Sequence, residues 1–133
     1  MKIAVDIDGV LADQVGAVLK VIEEEYGQKY CKSDINRAHW TFDGMELWSE
    51  IGRLLADPEY TRNLPLIEGS QRGVKQLIHH DVFVVTARRP NAEEATKQWL
   101  NKLYKQIVEP HHVYYALYQL LQYPLTRNKD TSI

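Results

Sequence analysis

With 133 residues, of which 44% are hydrophobic and 26% charged, the chain has the make-up of one ordinary globular domain. A formal net charge of −2 gives no basic footprint for nucleic acid, so no nucleic-acid partner is expected. No apolar run approaches the ~20 residues of a membrane span, and Asp6 and Asp8 interrupt the first apolar stretch, which excludes a signal peptide. The lone cysteine, Cys31, can form no internal disulfide and fits a cytoplasmic setting, where thiols stay reduced.

Lys2-Ile3-Ala4-Val5 reads as a short strand, followed at once by Asp6, Asp8 and the strand-breaking Gly9. In open α/β sheets ligands bind at the carboxyl ends of strands, and negative charge there calls for a cation or a proton. A hard divalent ion such as Mg²⁺ suits one or two carboxylates completed by waters and phosphate oxygens. The bland reading, a strand running into a polar turn, rests on the turn propensities of Asp and Gly. Val15, Val18, Leu19, Ile22 and Tyr26 recur at helical spacing, with Asp13 placed as N-cap and Gly27 as a left-handed C-terminal residue. Asp13 is read as that cap rather than as a ligand, and Glu23-Glu24-Glu25 as the solvated face of the helix.

Ser33 or Asp34 can cap a short turn, and His39, Trp40 and Phe42 form an aromatic group. Asp43 with Glu46 has capping-box spacing and predicts a second helix with Leu47, Ile51, Leu54 and Leu55 as its stripe, closed by Asp57-Pro58. Trp40, Phe42 and Trp48 are assigned to the core, with nucleobase stacking the alternative for any aromatic left exposed. Residues 59–70 read as a loop, and Ser70 caps a helix carrying Val74, Leu77 and Ile78 as far as His79-His80. Val82-Phe83-Val84-Val85 is a second strand, continuously apolar as in a sheet covered on both faces, and it ends in Thr86-Ala87-Arg88-Arg89-Pro90. Thr86 can donate its hydroxyl to a phosphate oxygen. Arg88 can grip a phosphate bidentately or pair with the acidic helix that follows. Asn91 with Glu94 starts that helix, and Ala95, Trp99 and Leu103 give it a buried side to about Lys105. A parallel crossover needs about a dozen residues, so residues 13–65 exceed one crossover and read as a small helical insertion.

Asp6-Ile7-Asp8-Gly9-Val10-Leu11, continuing into Ala12-Asp13, resembles the first signature of the haloacid dehalogenase (HAD) superfamily of phosphotransferases. It is most similar to the cytosolic and mitochondrial 5′(3′)-deoxyribonucleotidases and their microbial relatives. Thr86-Ala87-Arg88 matches the second motif of that group, and the helix from Asn91 to Leu100 is similar as well. The resemblance implies an α/β, Rossmann-like, three-layer parallel sheet with a core of about 1–12 and 66–133 and a helical cap of about 13–65, all one domain. It implies Asp6 as nucleophile, Asp8 as general acid/base, Mg²⁺ on the Asp6 carboxylate and the Asp8 carbonyl, and Thr86, Ala87 and Arg88 around a small phosphorylated substrate. The implied activity is a Mg²⁺-dependent phosphatase of 5′-nucleotides or deoxynucleotides.

The family pattern also needs a lysine and then an apolar strand ending in paired acidic residues. Lys102, Lys105 and Lys129 are the candidates for the lysine, and after Lys105 no strand with an Asp-Asp pair follows. The core therefore reads as shortened at its C-terminus. Val113-Tyr114-Tyr115 reads as a strand followed by a helix, and either the tail or a second copy, as a homodimer, would cover the exposed edge of the first strand. His79-His80 and His111-His112 lack zinc-like spacing and read as surface residues. Two other readings stay open: a catalytically weak, HAD-like binding protein, and a phosphatase of another ester, either a sugar phosphate or a polynucleotide 3′-phosphate.

Overall fold

The computed structural model describes residues 1–77, 79–104 and 113–115. Its elements in chain order are β1 (Lys2–Asp6), α1 (Gln14–Tyr26), β2 (Thr41–Phe42), β3 (Met45–Glu46), α2 (Leu47–Leu55), α3 (Pro58–Arg62), α4 (Ser70–Lys75), β4 (Asp81–Thr86), α5 (Glu93–Tyr104) and β5 (Val113–Tyr115). The fold is α/β with a parallel sheet. β1 and β4 run parallel, in register from Lys2 opposite Asp81 to Asp6 opposite Val85. β5 lies parallel to β4 on its other side, from Val84 opposite Val113 to Thr86 opposite Tyr115, so the order is β1-β4-β5. The apolar run of β4 thus belongs to the central strand, as expected for a strand covered on both faces. This register brings the ends of β1 and β4, with Asp6 and Thr86, to one carboxyl edge.

The strand expected near Val113 is present and extends the sheet beyond β4. Among the described residues β1 remains an edge strand. Ile78, Lys105, His111-His112, the helix expected after Tyr115, Lys129 and Asp130 lie outside the described residues.

Local chemistry explains which elements form. Asp13 caps α1, its Oδ1 accepting from the Gly16 N–H at 3.1 Å, and Gly27 closes the helix at φ 69° with its N–H on the Glu23 carbonyl. Asp43, expected to open a helix, instead forms a two-residue turn with Gly44 between β2 and β3. Both residues have positive φ, 50° and 78°. An Asp-Gly pair meets this hairpin requirement at little cost, and it outweighs the capping-box spacing. α2 accordingly starts later, at Leu47. The loop expected over 59–70 contains α3, because Asp57 accepts from the Glu59 N–H at 3.0 Å and Pro58 suits the first helical position. Gly69, at φ 83°, rather than Ser70 precedes α4, and Pro90–Ala92 forms a single 3₁₀ turn ahead of α5.

Two apolar clusters result. Ile7, Leu11, Leu64, Val74, Val82, Val84, Trp99 and Leu100 pack about the sheet. Val18, Ile22, Trp40, Phe42, Leu47, Ile51 and Leu54 hold α1, the hairpin and α2 together. Trp40 and Phe42 stack with ring centroids 6.0 Å apart, and Tyr30 meets Trp40 edge-on. Leu55 and Tyr60 touch both clusters. Trp99 is buried, and its indole N–H donates to the Leu64 carbonyl at 2.8 Å, fastening α5 to the segment that returns to the sheet. Trp99→Ala should destabilise the fold by about 3–5 kcal/mol, measured as a lower denaturation midpoint with an unchanged slope.

Candidate active site

β1 delivers Asp6 to the sheet edge, where its Oδ1 accepts from the Ile7 N–H at 2.8 Å. The chain then turns tightly. The Ile7 carbonyl accepts from the N–H groups of Val10, Leu11 and Ala12, and Gly9, at φ 83°, takes a conformation that a side chain would strain. Ile7 and Leu11 anchor the turn in the core, while Asp6 is exposed and the Asp8 side chain is 26% accessible.

Arg88 reaches Asp8 from the end of β4. Its side chain is wholly inaccessible, and Nε and Nη2 donate to the two Asp8 carboxylate oxygens at 3.1 and 2.7 Å. Nη1 donates to Oγ1 of the buried Thr96 on α5 at 3.0 Å. The buried Thr86 hydroxyl accepts from the Arg88 N–H at 3.1 Å, which leaves its own proton to donate. The acidic residues of α5, one of the partners expected for Arg88, do not take its guanidinium. Asp8 takes it from 80 positions away in the chain.

A cleft of about 270 Å³ opens on this pair, lined by Asp8, Ala87, Arg88, Arg89 and Asn91 on one side and by Trp48, Ile51, Gly52 and Leu55 of α2 on the other. Of the residues singled out in the sequence, Asp8, Ala87 and Arg88 come together in it. Asp6 lines a neighbouring hollow with Val5, Val10 and Leu11. Trp40 and Phe42 are core residues as assigned, but Trp48 is 54% exposed, with its indole N–H held by the Ala38 carbonyl at 2.6 Å. Lys102 is exposed on α5 and lines a different hollow with Glu59 and Arg62, and His79 and His80 are exposed.

Sequence reasoning missed Tyr60 and Gln14. Burial, with the Asp8 carboxylate adding to it and Arg88 opposing, pushes the Tyr60 phenol well above its ordinary range and keeps it neutral. Its hydroxyl donates to Oε1 of the buried Gln14 at 3.5 Å. No motif or spacing marks either residue.

The sequence profile of the family described as "5′ nucleotidase, deoxy (pyrimidine), cytosolic type C" matches residues 1–121. The chain belongs to this family. Two relatives from strains of Staphylococcus epidermidis, each called "Putative 5′(3′)-deoxyribonucleotidase", are 31% identical to it over 121 residues. The match covers 84% of this chain and 63% of each relative, so the chain spans less than two thirds of their length.

For a member of the cytosolic type C family the donor set matters. Among the described residues no group of three or more His, Cys, Asp or Glu side chains could hold a metal. Glu50, buried on α2, is tied to Arg53. The Asp6 carboxylate is exposed, with Oδ1 on the Ile7 N–H, and Asp8 can offer its main-chain carbonyl. This is a two-donor set of the kind Mg²⁺ accepts when waters and phosphate oxygens complete its shell. Asp8→Asn should leave the enclosed Arg88 charge uncompensated and cost roughly 3 kcal/mol. A denaturation double-mutant cycle with Arg88→Met should give a coupling of about 1–3 kcal/mol.

Proposed function

We propose that the chain is a Mg²⁺-dependent phosphatase of small phosphate esters, with 5′-nucleotides or deoxynucleotides as its substrates, and that it works through an aspartyl-phosphate. The observation that carries this reading is the cleft that sets Asp8 and Ala87 opposite the exposed ring of Trp48. A carboxyl group and a half-exposed aromatic ring lining one cleft match a phosphate ester joined to a nucleobase, since every base has a face that stacks. The family membership and the Staphylococcus relatives support the same substrate class.

In this mechanism an Asp6 carboxylate oxygen attacks phosphorus in line, and the bond from phosphorus to the ester oxygen breaks. Asp8, as the acid, protonates the departing alcohol. As the base it then takes a proton from the water that releases phosphate and restores Asp6. The Thr86 hydroxyl donates to a phosphoryl oxygen, and the Ala87 stretch forms the wall beside it. Mg²⁺, held by the Asp6 carboxylate and the Asp8 carbonyl, would supply charge neutralisation at the phosphoryl oxygens.

The segment of about 13–65 acts as the cap, with α2 as the wall that excludes water and selects the leaving group, over a HAD-like core of about 1–12 and 66–133. A cytoplasmic location agrees with the single, exposed Cys31. No helix among the described residues is long and apolar enough to cross a membrane. A second reading, a binding protein with weak catalysis, draws on the lack of a third acidic ligand among the described residues.

Phosphate release from a panel of nucleotides and simple esters separates the two. Turnover should require Mg²⁺ and fall by ~10⁴ or more in Asp6→Asn. Folded protein no more active than Asp6→Asn would leave the binding reading. Trp48→Ala should raise KM for a nucleotide about tenfold, for the loss of one base stack, and leave KM for a simple alkyl phosphate unchanged.

A further inference from the structure

We infer that Arg88 is a positioning residue that fixes the acid/base carboxyl of Asp8, with Thr96 as its second anchor, and is not a phosphate ligand. The inference rests on the phosphatase reading above and adds to it a role for the loop after β4 and for α5.

Three nitrogens of the guanidinium are committed, two to the oxygens of Asp8 and one to Thr96. The side chain has no accessible surface, so the 2% of Arg88 that can be reached is main chain. A phosphate could take this guanidinium only by displacing Asp8 from it. Arg89 differs on each count. It is exposed, it lines the same cleft, and its guanidinium makes no ion pair or hydrogen bond among the described residues, its carbonyl alone accepting from the Ala92 N–H. Arg89 is therefore the cation left for the anionic groups of a ligand.

The clamp suits the task assigned to Asp8. A carboxylate has about four acceptor directions, and one planar fork across both oxygens takes two of them while fixing the plane of the group. The other directions face the cleft, where Asp8 keeps a quarter of its surface. In the first half-reaction the ester oxygen leaves phosphorus with the Asp8 proton. In the second, water adds to phosphorus, its proton goes to Asp8, and the Asp6 carboxylate departs. Both transfers need the same oxygen on the same line. A carboxyl group free to rotate about its last torsion would reach that line only part of the time. The Thr86 hydroxyl, by accepting the Arg88 N–H, fixes the start of the arginine side chain, and Thr96 fixes its tip.

The test compares two esters in the full chain with Mg²⁺. One is a 5′-nucleotide, whose alcohol must be protonated to leave. The other is p-nitrophenyl phosphate, whose phenolate leaves without a proton. For Arg88→Lys, which keeps the charge and loses the fork, kcat on the nucleotide should fall about 100-fold, the scale of lost general acid catalysis. KM should stay within about twofold. First-turnover release of nitrophenolate should stay within about threefold of wild type, with only later turnovers slowed, since those need Asp8 as base. Thr96→Val, a near-isosteric change that removes one anchor, should follow the same pattern with a smaller loss, and it decides the matter if Arg88→Lys does not fold.

A raised KM for both esters with kcat kept would make Arg88 a phosphate ligand and overturn the inference. Equal losses on both esters, first turnover included, would reduce it to a structural residue. Wild-type protein no better than Asp6→Asn on either ester would instead overturn the phosphatase reading, and this inference with it.

Discussion

The contact between Asp8 and Arg88 joins the two halves of the chain at the carboxyl edge of the sheet, where the ends of β1 and β4 lie side by side. Arg88 is closed off from solvent, and a buried guanidinium is tolerable only with its charge matched and its donors engaged. Asp8 supplies the charge from the turn after β1, and Thr96 supplies a further acceptor from α5. The turn after β1 must therefore meet, within hydrogen-bond distance, a loop and helix about 80 residues further along the chain. The parallel register of β1 with β4 carries Asp6 and Thr86 to neighbouring positions and makes that meeting geometrically available.

The second constraint is the seam between the apolar clusters. Leu55 and Tyr60 belong to both, so the helical segment is packed onto the sheet core instead of being tethered by its ends alone. One consequence is chemical. Burial at this seam, with the Asp8 charge adding to it, keeps the Tyr60 phenol neutral, so the seam puts no second negative charge near that carboxylate. Another is architectural, because α2, held from behind by Leu47, Ile51 and Leu54, presents Trp48 and Gly52 to the cleft.

Much of the scaffold was legible residue by residue. Asp13 and Gly27 mark the ends of α1, and the apolar run 82–85 marks β4, because caps and runs act over a few residues. The misreadings have equally local causes. At Asp43 two rules compete for one residue, and the Asp-Gly turn prevails over the cap because the positive φ it needs costs so little there. At Asp57-Pro58 one signal serves two purposes, ending α2 and starting α3. In the candidate site, Asp6, Asp8 and Thr86 carry motif information at strand ends, whereas Gln14, Tyr60 and Thr96 belong to no motif and enter only through packing.

What the sequence determined by itself is the set of local decisions: two strands ending in acidic or hydroxyl side chains, the helices and their caps, and the α/β class those elements imply. Tertiary structure decided the partners. Leu47 and Trp48 are adjacent apolar residues, and one step along a helix turns a side chain by about 100°. Which of them enters the core depends on where α1 and the hairpin lie. Arg88 likewise pairs with Asp8 and not with the acidic residues that follow it on α5, since the energy of a buried charge is set by its surroundings and not by its neighbours in the chain.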